Sequence, residues 1–144
     1  MFERITKNED ETRAVGREIG KKLSAPACIM LKGDLGAGKT VISSGIIEEV
    51  TGKKHTVTSP TFNLVYEYDG KIHVNHFDLY RMESVDELEN IGAYEYFYNN
   101  EQINIVEWPE RAPAIFEFLP CVYLLEIRKI DEVSRKINFE KIKG

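Results

Sequence analysis

Long apolar runs, cysteine and proline are all scarce in this 144-residue sequence. No stretch approaches the roughly 18 consecutive apolar residues of a membrane-spanning helix. The N-terminal segment MFERITKNEDET carries acids where a signal peptide has its apolar centre. We therefore expect a cytoplasmic protein without a membrane partner. The two cysteines, Cys28 and Cys121, lie in apolar runs, which favours buried, reduced thiols over a disulfide.

Excess positive charge is also missing, since 19 Lys and Arg face 24 Asp and Glu for a formal net charge of −5. This balance argues against direct capture of nucleic acid by bulk electrostatic attraction. Residues 83–101 hold six acidic and no basic side chains, whereas residues 128–143 hold six basic and three acidic ones. We interpret each segment as a solvated face, with a docking surface for an oppositely charged partner as the alternative.

No repeat, low-complexity tract or flexible linker divides the sequence, so we expect one domain over residues 1–144. An opening strand near residues 2–5 leads to Asn8 and Glu11, which have the spacing of a helix-capping box. Val15 and Ile19 then begin an apolar stripe of helical period.

The remaining pattern alternates strands and helices early and places hairpins late. Residues 27–32 read as a strand covered on both faces, and residues 39–51 as a helix. The Asp69-Gly70 pair between two alternating segments predicts an antiparallel hairpin. The last two predicted strands form a closing pair: residues 122–127 and 135–139. The predicted fold class is α/β, a mixed sheet with helices on its faces.

The stretch GDLGAGKT, residues 33–40, matches the phosphate-binding pattern G-x-x-x-x-G-K-[ST] in full. Glycines let successive backbone N–H groups converge on phosphate oxygens, and the following helix adds its N-terminal dipole. Lys39, expected on an exposed loop, would contact the β- and γ-phosphates, and the Thr40 hydroxyl can bind Mg²⁺. The predicted nucleotide contacts are Gly33, Asp34, Leu35, Gly36, Ala37, Gly38, Lys39, Thr40 and Val41.

Two acids end apolar strands beyond this loop and are candidates to complete the site. Asp78 ends IHVNHFD, and Glu107 ends INIVE. Either could hold the metal, directly or through water, because a phosphate-binding loop needs a second ligand for Mg²⁺. A structural salt bridge is the alternative for each. Glu67 and Glu110 are interpreted as surface charges.

Two further segments are candidates for parts that close over a phosphate. Pro60 disfavours helix at Ser59, so Ser59 and Thr61 are presented on a loop, either as a switch near the phosphate or as a plain turn. Trp108 follows Glu107 directly and is either a core residue or a lid. The three histidines lack metal-ligand spacing and are interpreted as hairpin and loop residues: His55, His73 and His76.

Taken in order, the blocks GDLGAGKT, SPTFNLVYEY, HFDLYRM with DELENIGAYEYF, and VEWPER resemble the bacterial TsaE (YjeE) ATPases of tRNA threonylcarbamoyladenosine biosynthesis. Their order and spacing match over about residues 1–110. The resemblance implies a P-loop NTPase-like, mixed, mostly parallel sheet and a slow ATPase that uses ATP and Mg²⁺. It also implies action on the TsaD–TsaB complex, with tRNA reached only through that complex, by a chain that is monomeric alone.

The resemblance also implies individual functions for residues of this sequence. Three residues would support hydrolysis: Lys39, Asp78 and Glu107. Thr40 and Glu107 would bind Mg²⁺, Arg135 would lie near the nucleotide, and Trp108 would be a functional aromatic residue beside them.

Two other functions are compatible with a phosphate-binding loop. A small P-loop kinase would need an arginine-bearing lid and an acceptor pocket, but the only arginines between residues 40 and 127 are Arg81 and Arg111. A non-hydrolytic module would use ATP only to gate binding of a partner. The accessory ATPase is preferred over both.

Overall fold

The computed structural model describes residues 2–60 and 63–144, so the predicted switch residue Thr61 lies outside the described residues. The strands are β1 (Phe2–Thr6), β2 (Ala27–Lys32), β3 (Val65–Tyr68), β4 (His73–Asp78), β5 (Gln102–Glu107), β6 (Val122–Lys129) and β7 (Arg135–Lys143). The helices are α1 (Glu9–Lys22), α2 (Lys39–Thr51), α3 (Asp86–Asn90) and α4 (Ala93–Phe97), followed by 3₁₀ turns at Pro109–Arg111 and Pro113–Glu117.

All seven strands form one sheet in the order β1-β7-β6-β2-β5-β4-β3. Strands β6, β2, β5 and β4 run parallel to their neighbours in the middle of the sheet. The pairs β3–β4, β6–β7 and β1–β7 are antiparallel. The predicted mixed sheet, with its hairpin and its closing strand pair, is therefore confirmed. In the described ranges no helix is long and apolar enough to cross a membrane.

Two apolar cores cover the two faces of the central strands. One packs α1 and α2 against the sheet and includes Ile19, Ile46 and Ile105, all fully buried. The other packs α3, α4 and the 3₁₀ turns against the opposite face and includes Phe77 and Val106. This double coverage explains the unbroken apolar run of β2.

Helix α1 begins where the capping pattern predicts. The backbone N–H of Glu11 donates to Asn8 Oδ1 at 2.8 Å, and Glu11 Oε1 accepts from the N–H of Lys7 at 2.9 Å. The second bond comes from one residue earlier than in the predicted box, but it still satisfies a backbone donor beside the helix start.

Both cysteines are free thiols, as predicted. Cys28 is buried within β2, and burial raises the pKa of its thiol well above the ordinary value. Cys121 is only half-buried and precedes β6, so the prediction of two buried cysteines holds for Cys28 alone.

Helices α1 and α2 approach so closely that glycine is needed at both contact points. A Cβ on Gly16 would lie 2.3 Å from the carbonyl oxygen of Ile42, and one on Gly45 would lie 2.1 Å from that of Arg13. Backbone therefore packs on backbone along this interface, which holds the start of α2 against the rest of the fold.

Substitution of Gly45 by alanine is expected to lower the free energy of unfolding by about 2 kcal/mol. Overpacking against the Arg13 carbonyl costs up to about 3 kcal/mol, and the better helix propensity of alanine offsets about 1 kcal/mol of it. Urea unfolding followed by circular dichroism measures the change. Gly20→Ala is the control, because its added Cβ would first meet the Glu49 side chain, at 2.8 Å, rather than backbone. Equal losses in the two variants would contradict the prediction.

Candidate functional site

The loop after β2 curls back on itself through two glycines with left-handed backbone angles. Gly36 has φ 77° and Gly38 has φ 103°, conformations that residues with a Cβ rarely adopt. The N–H of Ala37 donates to the carbonyl oxygen of Asp34 at 3.1 Å, which closes the turn. A Cβ on Gly36 would meet nothing within 4 Å, so the space beside this residue is open. This geometry suits a phosphate group.

Lys39, the first residue of α2, extends into the loop instead of into solvent. Its side chain is 7% exposed, so the prediction of an exposed lysine is wrong. Its Nζ donates to the carbonyl oxygen of Gly33 at 2.5 Å, lies 3.9 Å from Glu107 Oε1 and lies 4.2 Å from the ring centroid of Trp108. Burial lowers the pKa of Lys39, and the Glu107 and Asp78 carboxylates partly oppose that shift.

The two candidate acids lie directly opposite one another in the parallel pair β4–β5. Asp78 is 4% exposed and Glu107 is 2% exposed. Their common position at the carboxyl edge of the sheet, beside Lys39, agrees with the prediction that both acids reach the same edge. Asp78 Oδ2 accepts from Ser59 Oγ at 2.8 Å, and Asp78 Oδ1 accepts from the N–H of Tyr80 at 2.9 Å. The loop bearing Ser59 is thereby attached to the site.

Arg135, from the first position of β7, is bonded to the loop itself. Its Nε donates to the carbonyl oxygen of Ala37 at 2.8 Å, and a second guanidinium nitrogen donates to that of Gly36 at 3.3 Å. A third donates to the carbonyl oxygen of Asp131 at 2.9 Å. Arg135 thus fixes the backbone of the loop, although 98 sequence positions separate it from Ala37.

A cavity of about 800 Å³ opens above the loop, a size typical of small-molecule sites. Eleven predicted or neighbouring residues of the site line it: Leu35, Gly36, Gly38, Lys39, Thr40, Val41, Ser59, Asp78, Glu107, Trp108 and Arg135. Three residues predicted as nucleotide contacts belong to the loop but are not among the lining residues that the structure describes: Gly33, Asp34 and Ala37.

Comparison with known proteins agrees with this geometry. The profile of the family described as "Threonylcarbamoyl adenosine biosynthesis protein TsaE" matches residues 6–137. The chain belongs to the TsaE family. A TsaE relative from Bacillus subtilis (strain 168) is 37% identical over 95% of this chain and 84% of its own length. A TsaE relative from Aquifex aeolicus (strain VF5) is 38% identical over 96% of this chain and 95% of its own length.

A solved structure supports the same family at the level of the fold. The crystal structure of Bacillus subtilis YdiB superposes with a TM-score of 0.73 and 30% sequence identity, over 98% of this chain and 85% of that one. The resemblance to the TsaE family and the P-loop NTPase-like fold that it implies are therefore confirmed. The family is one of tRNA threonylcarbamoyladenosine biosynthesis.

In this TsaE-family chain, sequence patterns missed the residues that form the rest of the cavity. They come from three separated segments: Asn8, Glu9 and Thr12; Tyr80 and Arg81; and Glu132 and Val133. The capping pattern marked Asn8 only as the start of a helix, and no motif marks the third group. Arg81 follows Asp78 within the HFDLYRM block and lines the cavity, although no site function was predicted for it.

His76 is a further residue of the site that the sequence patterns did not single out. As predicted, it lies in the β3–β4 hairpin, opposite Tyr66, but it is fully buried, with Nε2 2.5 Å from Glu107 Oε2. Side-chain alternation along a strand could have found it, since it precedes Asp78 by two positions and shares its face. His73, by contrast, contacts Asp69 and Glu67 in the hairpin at 2.8 and 3.0 Å, as expected of a hairpin residue.

Trp108 satisfies both alternatives that the sequence left open. Its half-buried ring packs against the core on the α3–α4 face and also lines the cavity. The ring centroid lies 4.9 Å from that of Tyr80, and its Nε1 is buried without a hydrogen-bond partner among the described residues. Trp108 has φ 56°, a strained value for a bulky residue. The strained backbone turns its ring toward Lys39.

Proposed function

We propose that this TsaE-family chain binds ATP with Mg²⁺ and hydrolyses it as an accessory factor of the TsaD–TsaB complex, in the threonylcarbamoyladenosine modification of tRNA. One juxtaposition carries the proposal. The Lys39 ammonium lies in a glycine-lined phosphate loop, 3.9 Å from a carboxylate that ends the neighbouring parallel strand. Phosphoryl chemistry needs these two elements within one site.

The chemistry of the donor set fits magnesium nucleotide. The open, left-handed turn at Gly36 and Gly38 suits phosphate oxygens, and the Lys39 charge would complete the cradle. Thr40 and Glu107 offer a hydroxyl and a carboxylate oxygen, ligands that Mg²⁺ prefers. Bound ATP supplies a γ-phosphoryl group whose developing negative charge the Lys39 ammonium would stabilise.

Asp78 is proposed to act from a fixed position on the cavity wall. Both of its oxygens already accept hydrogen bonds, one from Ser59 and one from the backbone at Tyr80. Each carboxylate oxygen has a further lone pair, so Asp78 can still orient a water molecule while holding the Ser59 loop in place. Ser59 is thereby linked to the acid proposed to orient the water.

The far wall of the cavity is proposed to receive the nucleoside. Asn8 and Thr12 approach it from the start of α1, and Val133 approaches it from the β6–β7 turn. Val133 is 61% exposed, so it has apolar surface available for a base. Motif analysis left the adenine contacts unassigned, and these residues are the candidates that the structure supplies.

A chain with this function is expected in the cytoplasm and is proposed to be monomeric until it meets the TsaD–TsaB complex. The partner would supply positioning that the isolated site lacks, as activating proteins do for other P-loop enzymes. The net charge of −5 speaks against independent binding of tRNA. Contact with tRNA is therefore proposed to run through the complex.

Release of inorganic phosphate from ATP tests the proposal. The TsaD–TsaB complex is expected to accelerate release severalfold, whereas tRNA alone is expected to have no effect. The control for contaminating activity is Lys39→Met in the same preparation. Transfer of phosphate to a small acceptor would instead indicate the kinase. ATP-dependent binding of the complex without release of phosphate would indicate the non-hydrolytic module. Full-rate hydrolysis without a partner would contradict the accessory function.

A further inference from the structure

His76 occupies a position on β4 that would ordinarily hold an apolar side chain. It is 0% exposed, and its same-face neighbour on the strand, Val74, belongs to the core beneath α1 and α2. Ile105, its register partner on β5, belongs to the same core. The His76 Nδ1 is buried without a hydrogen-bond partner in residues 2–60 and 63–144. An unpaired polar atom in such a core costs stability, which an apolar residue of similar size would avoid.

Within the described part of the chain, the hydrogen-bond partner of the imidazole is the acid of the candidate site, Glu107. His76 Nε2 lies 2.5 Å from Glu107 Oε2, in a buried environment where such a bond is strong. An ionised carboxylate can only accept, so Nε2 carries the proton of this bond. His76 is opposite Ile105, which precedes Glu107 by two residues on the adjacent strand. The two side chains are therefore neighbours on the same face of the sheet.

The two oxygens of Glu107 therefore have different surroundings. Oε2 is engaged by His76, and Oε1 lies 3.9 Å from Lys39 Nζ. A carboxylate held at one oxygen cannot rotate freely about its terminal bond. The hydrogen bond from His76 thus determines which oxygen the carboxylate presents toward Lys39 and the cavity.

We infer that His76 is a positioning residue, which orients the Glu107 carboxylate so that Oε1 serves as the single metal-binding oxygen. The inference rests on the proposed function, in which Glu107 binds Mg²⁺. Hydrogen-bond partners of metal ligands typically change metal affinity or activity by about 10- to 100-fold when they are removed. His76 itself touches neither nucleotide nor metal.

The test compares His76→Leu, which removes the donor, with His76→Gln, whose amide can donate to the same oxygen. Calorimetry measures ATP affinity in EDTA and at saturating Mg²⁺. The readout is the affinity with Mg²⁺ divided by the affinity in EDTA. His76→Leu is expected to lower that ratio by about tenfold or more while leaving affinity in EDTA within about threefold of wild type. His76→Gln is expected to restore most of the ratio. His73→Gln is the matched control, because His73 begins the same strand but contacts Asp69 and Glu67 instead of Glu107.

A second measurement needs no nucleotide. In the ligand-free protein, the buried Nε2–H of His76 is expected to give a slowly exchanging imidazole proton signal far downfield in the NMR spectrum. Glu107→Ala should abolish or strongly shift that signal, because it removes the acceptor. His73→Gln should leave it in place.

The outcomes separate the inference from the function on which it rests. A folded His76→Leu variant with the wild-type Mg²⁺ ratio would overturn it, as would His76→Gln with the full loss. If His76→Leu does not fold, the inference is tested by His76→Gln and by the imidazole signal. An imidazole signal that stays unchanged in Glu107→Ala would overturn the inference. If wild-type protein binds no ATP at all, the proposed function fails, and the imidazole signal still reports whether His76 holds Glu107.

Discussion

Replacement of Lys39 by methionine is expected to weaken ATP binding by about a hundredfold or more. The substitution keeps most of the buried aliphatic stem and removes the charge. Charge-assisted hydrogen bonds contribute about 1.5–3 kcal/mol each, and a factor of ten in affinity corresponds to about 1.4 kcal/mol. The backbone amides of the loop cannot replace the cation, which lies 2.5 Å from the carbonyl oxygen of Gly33. Calorimetry with ATP measures the loss.

The same variant is expected to fold, with a melting temperature within about 4 °C of wild type. The pKa of Lys39 is lowered by burial, so its charge is a cost to the folded state and not a source of stability. The full cost applies at pH values below the lowered pKa. Between that pKa and 10.5 the unfolded chain binds more protons than the folded chain, so the free energy of unfolding rises with pH and the cost falls. Circular dichroism measures the melting temperature.

Lys32→Met is the matched control for the binding experiment. Lys32 ends β2 just before the loop and is not among the lining residues of the cavity, so the substitution makes the same change in net charge nearby. Its ATP affinity is expected to stay close to that of wild type. Affinity of Lys39→Met within threefold of wild type would remove Lys39 from the nucleotide site.

Replacement of Glu107 by glutamine is expected to lower partner-stimulated hydrolysis by about a hundredfold while ATP still binds the loop. The two side chains have the same shape, so the change removes a charge from the place where the metal is proposed. The variant would present to His76 either an amide oxygen or an amide N–H, and it would lose the ionic attraction to Lys39 across 3.9 Å. Phosphate release in the presence of the TsaD–TsaB complex, and ATP affinity measured separately, give the two readouts.

Glu110→Gln is the matched control. Glu110 lies three residues beyond Glu107 in the exposed 3₁₀ turn, close enough for its charge to raise the pKa of Lys39 but outside the residues that line the cavity. Its hydrolysis is expected to remain within about threefold of wild type, because an exposed charge is screened by solvent. Normal turnover by Glu107→Gln, or an equal loss in both variants, would contradict a metal-binding function of Glu107.

Local chemistry determined a large part of this protein from its sequence alone. The glycines of GDLGAGKT, with φ values of 77° at Gly36 and 103° at Gly38, show that the motif specifies a backbone turn through the absence of Cβ atoms. Helix α2 begins at Lys39 and ends before Gly52 as the pattern predicts, and the Asp69-Gly70 turn joins an antiparallel pair. Each of these features depends on neighbours within a few residues, where spacing and residue type are visible in the sequence.

The tertiary structure alone decided the environment of the site, because it depends on which strands become neighbours. Strand β5 inserts between β2 and β4, and only that order places Glu107 between Lys39 and His76. The lysine predicted to be exposed is buried, and His76, for which the sequence predicted only a place in a hairpin or loop, is bonded to the central acid. Arg135 bonds to the carbonyl oxygen of Ala37 across 98 sequence positions. Such contacts arise from the packing of distant segments, and no local pattern of residues encodes them.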